Sequence, residues 1–364
     1  MDHLCSEFTL QRGLCRTPKH RLILLRFCKW LAWVFCLGSP AWVRSAPAAT
    51  QATITSPTIV SVKKIWDKGA HNAFTDLIRF QDKWYCAFRE ADGHVKGDGK
   101  LRVIVSPDGE AWESAALLAE EGIDLRDPKL SVTPDNRLMV LAGGSVYRGG
   151  KLVGRQPRAA FSGDGRKWTP TQRILSEGEW LWRVTWREGR AYGVAYNAPA
   201  DKSKAADWSL RLVASRDGVN YEEIAKLDVP DRPNETTLRF RDNGEMIALV
   251  RREGGNTFGW IGVSQPPYKS WQWHETKHRL GGPNFIQLPD GSFWAAGRSH
   301  PGGVKTVLVR FGPETYQPVL TLPSGGDCSY PGLVWHDGLL WMSYYSSHEG
   351  KTSIYLARIR VGRE

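Results

Sequence analysis

The feature that most constrains the fold is a strand–turn–strand pattern that recurs about every 50 residues. Each copy is an apolar strand, a turn rich in Asp, Asn and Gly, and a second apolar strand, which is typical of a β-hairpin. The six copies are centred on Asp82, Asp135, Glu188, Asp242, Asp290 and Asp337. Their spacings are 53, 53, 54, 48 and 47 residues. This period predicts an all-β, six-bladed β-propeller with four-stranded antiparallel blades.

A second motif, S-x-D-G-x-x-aromatic, follows an apolar strand three times. Its copies begin at Ser106, Ser162 and Ser215, and residues 264–271 form a degenerate fourth copy. The Asp can accept hydrogen bonds from its own turn, and the Gly permits a positive φ. We therefore expect these turns to be structural, with the aromatic residue covering a blade edge.

The ring of blades must also close. Only one further strand, within 352–361, follows the last hairpin, and residues 58–66 can form a strand ahead of the first hairpin. We expect this N-terminal strand to complete the last blade, because that pairing leaves no open edge at the seam.

Residues 1–48 predict an export leader. Six basic residues between positions 12 and 29 precede the apolar run 30–37, and small residues at 39–41 and 46–48 fit a signal-peptidase site. The run is short for a bilayer span, which favours a cleaved signal over an anchor. A mis-assigned start codon is the alternative, since the basic lead-in is unusually long. We expect residues 49–364 to form one monomeric catalytic domain, periplasmic or secreted, with no stable membrane span.

Charge and cysteine content exclude several function classes. The formal net charge is +11, but residues 1–46 carry seven basic and two acidic side chains, so about +6 remains. This mild excess is compatible with an anionic substrate and does not indicate nucleic-acid binding. Outside the leader only Cys86 and Cys328 remain, so neither a disulfide framework nor a cysteine metal cluster is expected.

Polar residues collect at one end of the predicted propeller axis. The hairpin turns face one end, so the starts of first strands and the ends of second strands face the other. These positions carry Asp76, Asp127, Arg183, Glu235, Asn284 and Tyr330, and then Arg89, Tyr196, Arg251, Arg298 and Tyr345. Together they predict a polar cleft, although any single member can instead form a structural ion pair.

Most of the chain beyond the leader resembles the sialidase (neuraminidase) family. The S-x-D-G-x-x-W turns are similar to that family's Asp boxes, one residue shorter than the commonest form. Residues 234–251 resemble the segment whose Glu partners a nucleophilic Tyr and whose Arg binds the substrate carboxylate. The resemblance implies those two roles for Glu235 and Arg251.

Two further segments extend this resemblance. Gly297-Arg298-Ser299 is similar to the segment of the next carboxylate-binding Arg, and residues 328–333 are similar to the nucleophile segment. The resemblance implies that Tyr330 is the nucleophile of a retaining exo-glycosidase acting on sialylated glycans or other acidic glycosides. The residue types suit this chemistry, because an anionic nucleophile would be repelled by the substrate carboxylate. The proposed chemistry needs no metal and no cofactor.

The general acid and one binding arginine remain open. The family uses an Asp on an early loop, and residues 90–100 offer Asp92 and Asp98, with His94 between them as a substrate contact. The family's first carboxylate-binding Arg has no counterpart in residues 71–77. Arg89 is the expected substitute, with Arg183 or Arg252 as alternatives. Asp127-Pro128 resembles a family position near the sugar ring, or is a structural turn.

Two other functions remain as alternatives to a sialidase-like enzyme. The altered arginine pattern is compatible with a propeller glycosidase of different sugar specificity. A catalytically silent carbohydrate-binding propeller is the other alternative, and the joint presence of Tyr330, Glu235, Arg251 and Arg298 argues against it.

Overall fold

The computed structural model describes residues 56–95, 97–197 and 208–362. The predicted leader, residues 1–48, lies outside the described residues. All secondary-structure elements in the described ranges are β-strands. None of the described residues forms a helix that could cross a membrane.

Twenty-four strands form six four-stranded antiparallel sheets, which confirms the predicted six-bladed propeller. Blade 1 contains β2 (His71–Phe80), β3 (Lys83–Ala91), β4 (Lys100–Ser106) and β5 (Glu113–Leu118). Blade 2 contains β6 (Asp124–Val132), β7 (Leu138–Arg148), β8 (Lys151–Ser162) and β9 (Gln172–Arg173). Blade 3 contains β10 (Glu179–Arg187), β11 (Arg190–Asn197), β12 (Ser209–Ser215) and β13 (Tyr221–Leu227).

The second half of the ring repeats this order and closes it. Blade 4 contains β14 (Pro233–Phe240), β15 (Met246–Arg252), β16 (Phe258–Ser264) and β17 (Gln272–Arg279). Blade 5 contains β18 (Asn284–Gln287), β19 (Phe293–Ser299), β20 (Lys305–Gly312) and β21 (Thr315–Thr321). Blade 6 contains β22 (Cys328–His336), β23 (Leu339–Ser346), β24 (Ser353–Arg360) and β1 (Thr58–Trp66). The pairing of β1 with β24 confirms the expected closure.

The hairpin turns belong to two classes that follow from their residues. In blades 1, 3 and 6 two residues connect the strands and both have positive φ, as at Asp337 (49°) and Gly338 (70°). This type I′ geometry matches the twist of the flanking strands and favours Asn, Asp and Gly. In blades 2, 4 and 5 the connection is longer, and only Asn136, Gly244 or Gly291 adopts a positive φ.

The S-x-D-G turns are structural, as their sequence indicates. Asp217 Oδ1 accepts hydrogen bonds from the backbone N–H groups of Val219 and Asn220, both at 2.8 Å. Slight burial would raise the pKa of Asp217, but these bonds outweigh it and hold the pKa well below its usual value. The Gly of each turn abuts the preceding blade: a Cβ on Gly109 (φ +78°) would lie 2.6 Å from Trp341.

The inner strand of five blades carries a β-bulge at the same position. In each, two residues of the first strand oppose one residue of the second, so the register shifts by one. The opposed pairs are Phe74-Thr75, Asp127-Pro128, Trp182-Arg183, Asn234-Glu235 and Tyr330-Pro331. A bulge re-aims side chains that a regular strand would place elsewhere. Four of the polar residues predicted to face the axis lie in these bulges: Asp127, Arg183, Glu235 and Tyr330.

We expect Asp217→Ala to lower the free energy of unfolding by about 1 kcal/mol at pH 7, because it removes hydrogen bonds that hold one turn. The folded-state pKa of Asp217 is lowered, so its contribution is present above the unfolded-state pKa of about 4 and is lost as the pH falls below it. Urea unfolding at pH 7 and pH 3 measures both effects. Asp242→Ala, in an exposed turn, is the matched control and should cost less. Equal losses in the two variants would contradict this role.

Candidate active site

The bulges of blades 4 and 6 bring Glu235 and Tyr330 together at the axis. Their side chains come from positions 95 residues apart, yet the Tyr330 hydroxyl donates a 2.7 Å hydrogen bond to Glu235 Oε1. Both residues are more than nine-tenths buried. Tyr330 has a positive φ of 54°, which is strained for an aromatic residue and marks a position held by its surroundings.

Arg251 and Gly282 complete the hydrogen bonding of this pair. Arg251 Nη1 donates to Glu235 Oε1 at 2.7 Å and to the Tyr330 hydroxyl at 3.2 Å, while its Nη2 donates to Glu253. The N–H of Gly282 donates to Glu235 Oε2 at 2.8 Å. Gly282 (φ +59°) also permits close approach, because a Cβ there would lie 2.6 Å from the Tyr330 ring. Sequence reasoning missed Gly282.

The Tyr330–Glu235 pair combines a protonated phenol with an ionised carboxylate. Burial and the Glu235 carboxylate raise the pKa of Tyr330 far above its usual value, so the phenol is protonated at rest. Burial alone would raise the pKa of Glu235, but Arg251 and the Tyr330 hydroxyl outweigh burial and hold it below its usual value. Glu235 is therefore an ionised acceptor, and its hydrogen bond sets the direction in which the phenol proton can move.

A second arginine lies over the ring of Tyr330. The guanidinium of Arg298 is 5.3 Å from the ring centroid. It is held by two hydrogen bonds to the Cys328 carbonyl at 2.9 and 3.0 Å and by one to the Tyr345 hydroxyl at 3.0 Å. Arg251 and Arg298 thus place two cations beside the Tyr330–Glu235 pair.

Arg126 is a third arginine beside the site, and sequence reasoning missed it. Its guanidinium lies 5.0 Å from the centroid of Phe74, whose ring in turn packs 5.1 Å from that of Tyr330. It contacts Asp124 at 3.6 Å and Asp127 at 3.9 Å. The available signal was its position directly before Asp127, because a bulge at that point redirects the neighbouring side chains.

Asp127 and Lys129 are two further titratable groups near Tyr330. Asp127 has a positive φ of 53°, and its Oδ1 is buried with no hydrogen-bond partner among the described residues. Burial raises its pKa despite the nearby Arg126 and Lys129. The Lys129 ammonium lies 4.4 Å from the Trp182 ring, and burial lowers its pKa to about 8. Asp127 is thus a carboxyl group that can be protonated next to the Tyr330 site.

The structure does not bring Arg89 and Arg183 to the open cleft. Arg89 is fully buried, and its Nε donates to Asp124 Oδ1 at 2.7 Å. Arg183 forms a two-pronged pair with Asp76 at 2.8 and 3.1 Å, also buried. Arg252, the other alternative, donates to Asp231 and to backbone carbonyls of blade 4. All three arginines therefore have structural partners, and none of these contacts is to Tyr330 or Glu235.

Two tryptophans of blade 3 pack against the neighbouring blade, and a third contacts Tyr330. Trp182 is buried, and its ring meets that of Tyr330 edge-on at 5.4 Å. Trp180 packs against Gly143, where any side chain would clash with it. The Trp186 indole donates to Ser131 at 3.3 Å on the neighbouring blade. Packing is therefore the main role of these residues, and Trp182 is the one of the three whose ring contacts Tyr330.

The loop after β3 places its candidate residues differently. Asp92 and Asp98 are exposed, and Asp98 Oδ2 accepts the Gly122 N–H at 3.1 Å. His94 Nδ1 lies 2.8 Å from Asp327 Oδ2, and His71 Nε2 lies 3.0 Å from the same oxygen. These are distances of imidazole–carboxylate hydrogen bonds, so we interpret the cluster as a hydrogen-bonded His–Asp–His group. Sequence reasoning missed His71 and Asp327, which lie 256 residues apart.

Comparisons with known proteins support the fold. No family model matches the chain, and no curated protein matches it. A Dyadobacter fermentans protein of unknown function superposes with a TM-score of 0.74 at 19% identity, over 85% of this chain and 100% of that one. The α-L-arabinofuranosidase of Fusarium graminearum superposes with a TM-score of 0.65 at 13% identity, over 83% of this chain and 98% of that one. Trypanosoma rangeli sialidase in complex with sialic acid superposes with a TM-score of 0.62 at 11% identity, over 84% of this chain and 58% of that one. The chain thus has the propeller fold that these glycoside hydrolases share.

Proposed function

We propose that this protein is a retaining exo-glycosidase resembling exo-α-sialidases, which releases a terminal sialic acid or related acidic sugar from glycoconjugates. The observation that carries the proposal is the 2.7 Å hydrogen bond from Tyr330 to Glu235, with Arg251 bonded to both side chains. A phenol with an adjacent ionised base is an activated nucleophile that carries no negative charge at rest.

The reaction proceeds in two steps on this pair. In the first step Tyr330 Oη attacks the anomeric carbon while its proton passes to Glu235, and the bond to the leaving group breaks. In the second step water attacks the same carbon and gives one proton to the acid/base group that protonated the leaving oxygen in the first step. The bond to Tyr330 breaks, and Glu235 returns its proton to the Tyr330 oxygen. Two displacements at one carbon give net retention of configuration.

Three guanidinium groups from three blades favour an anionic sugar. Arg251, Arg298 and Arg126 come from blades 4, 5 and 2 and surround the Tyr330 ring directly or through Phe74. Guanidinium groups bind carboxylates in a planar, two-pronged geometry that ammonium groups cannot reproduce. In this proposal Arg126 takes the place of the arginine that is absent from residues 71–77.

A different sugar is the second candidate, and the charges of the site provide the observation for it. Arg251 already pairs with Glu235 and Glu253, and Arg126 lies beside Asp124 and Asp127. These carboxylates neutralise part of the positive potential that an anionic sugar would need. The arabinofuranosidase neighbour shows that this fold also accommodates an enzyme named for a neutral sugar.

The proposed function also includes the place where the protein acts and the molecules that it meets there. An exported enzyme with a leader at residues 1–48 would meet glycans in the periplasm or outside the cell, as a monomer and without nucleic acid.

We expect Tyr330→Phe to reduce kcat for a fluorogenic α-sialoside by at least about 10³-fold, because the variant lacks the nucleophilic oxygen. Tyr344→Phe is the matched control: Tyr344 is a buried tyrosine of the same blade whose hydroxyl donates to the Pro323 carbonyl, and its loss should leave kcat within a few-fold. Fluorescence release by the folded proteins measures both rates.

A panel of neutral and acidic aryl glycosides decides between the candidates. If another glycoside is hydrolysed and this activity also depends on Tyr330, the protein is a glycosidase with a different sugar specificity. Absence of turnover from every glycoside, with retained glycan binding, would contradict the enzymatic proposal and favour a binding propeller.

We expect Arg126→Gln to lower kcat/KM for an acidic glycoside by about 10–100-fold and to change that for a neutral glycoside by far less, because it removes one charge-assisted contact to the substrate carboxylate. Arg137→Gln removes an arginine from an exposed pair with Asp135 in the same blade and serves as the control. An equal loss on the acidic and neutral substrates would indicate that Arg126 only supports the fold.

A further inference from the structure

Asp327, immediately before β22, lies within hydrogen-bonding distance of two imidazoles. Its Oδ2 faces His71 Nε2 at 3.0 Å and His94 Nδ1 at 2.8 Å, and its Oδ1 accepts the Tyr345 hydroxyl at 2.9 Å. Its backbone is fixed by hydrogen bonds in both directions with Ser347, at 2.9 and 3.0 Å. Partial burial would raise the pKa of Asp327, but its hydrogen bonds to the two histidines lower it far below the usual value. Asp327 is therefore an ionised and rigidly placed acceptor.

The two histidines differ in what they can reach. His71 lies on β2, and its side chain is only 11% exposed. The side chain of His94, in the loop after β3, is 49% exposed. Because His94 Nδ1 faces Asp327, its Nε2 points away from the carboxylate, and this atom makes no hydrogen bond within the described residues. A histidine can transfer a proton to or from a substrate when one ring nitrogen is hydrogen-bonded to a carboxylate and the other is accessible.

His94 is separated from the nucleophile by a single aromatic ring. Its ring meets that of Phe74 edge-on at 5.2 Å, and Phe74 packs against Tyr330 at 5.1 Å. Phe74 owes this position to the bulge of blade 1, where its φ is +64°. His94 can therefore serve a sugar bound at Tyr330 when the leaving group of that sugar extends across Phe74.

We propose that His94 is the acid/base catalyst of the glycosidase and that Asp327 is its positioning residue, an inference that rests on the proposed function. In the first step the protonated imidazole gives its Nε2 proton to the leaving oxygen as the glycosidic bond breaks. In the second step the neutral imidazole takes a proton from the attacking water, which restores the starting state. Asp327 remains a carboxylate throughout and keeps the Nδ1 proton in place.

Neither aspartate of the same loop has an equivalent arrangement. Asp92 and Asp98 are exposed, and the contact of Asp98 to Gly122 points toward the start of blade 2. No ring or ion pair of the described residues connects either carboxylate to Tyr330. His94 instead contacts the nucleophile's own neighbour and has a partner that orients it.

The leaving group distinguishes an acid catalyst from a structural residue. The test compares the full chain and its variants on a 4-methylumbelliferyl α-sialoside, which releases a phenol, and on sialyllactose, which releases a sugar alcohol that needs protonation. We expect His94→Asn to lower kcat/KM by about 10²–10⁴-fold on sialyllactose and by less than about 10-fold on the phenol substrate. Asp327→Asn should show the same dependence on the leaving group, to a smaller extent.

His71→Asn is the matched control, because it removes an imidazole from the same carboxylate on the buried side. Any loss of rate in this variant should be equal on the two substrates, and Asp92→Asn and Asp98→Asn should likewise show no dependence on the leaving group. The midpoint of thermal unfolding of each variant shows whether a loss comes from misfolding.

Three results would overturn the assignment of His94. One is an equal loss on both substrates in His94→Asn, and another is a leaving-group dependence that appears in Asp92→Asn or Asp98→Asn instead. The third is loss of wild-type activity on treatment with a chelator and its return with Zn²⁺, which would make the three side chains a metal site. If the wild type hydrolyses neither these substrates nor any glycoside of the panel, the proposed function itself fails, and the role of His94 fails with it.

Discussion

One extra residue in the inner strand of five blades determines which side chains reach the axis of this propeller. A regular strand alternates its side chains between two faces. In a bulge two adjacent residues oppose a single residue of the partner strand, which changes the direction of their side chains. Tyr330, Glu235 and Asp127 all lie in such bulges, and so do the aromatic residues Phe74 and Trp182. The same local irregularity in five blades therefore supplies residues to one site.

The polar groups near the axis also join the blades. Asp76 of blade 1 accepts the N–H of Leu130 in blade 2 at 2.7 Å and the guanidinium of Arg183 in blade 3. Such a buried pair is costly to desolvate and requires full hydrogen bonding. It links three blades at the axis. The catalytic proposal depends on this rigidity, because the Tyr330–Glu235 contact joins strands 95 residues apart.

The sequence predicted the architecture well because its signals were local. Turn residues such as Asp337-Gly338 and alternating apolar residues specify each hairpin, and the period specifies the number of blades. The expectation that Tyr330, Glu235 and Arg251 converge came from motif resemblance, and the structure places them in contact. The roles of Arg89 and Arg183 could not be read in this way. Their partners Asp124 and Asp76 lie on other blades, and packing between blades decides which charged group is buried and which stays open.

The proposed mechanism places a covalent bond between Tyr330 and the sugar, and this intermediate can be trapped. A fluorinated sialosyl fluoride supplies a good leaving group, while its ring fluorine slows the second step, so the glycosyl-enzyme should accumulate. Proteolysis and mass spectrometry then locate the adduct. We expect one glycosyl group on the peptide that contains Tyr330, attached to its phenolic oxygen and absent from Tyr330→Phe. An adduct on a carboxylate such as Glu235 or Asp127, or turnover with inversion of configuration and no adduct, would contradict it.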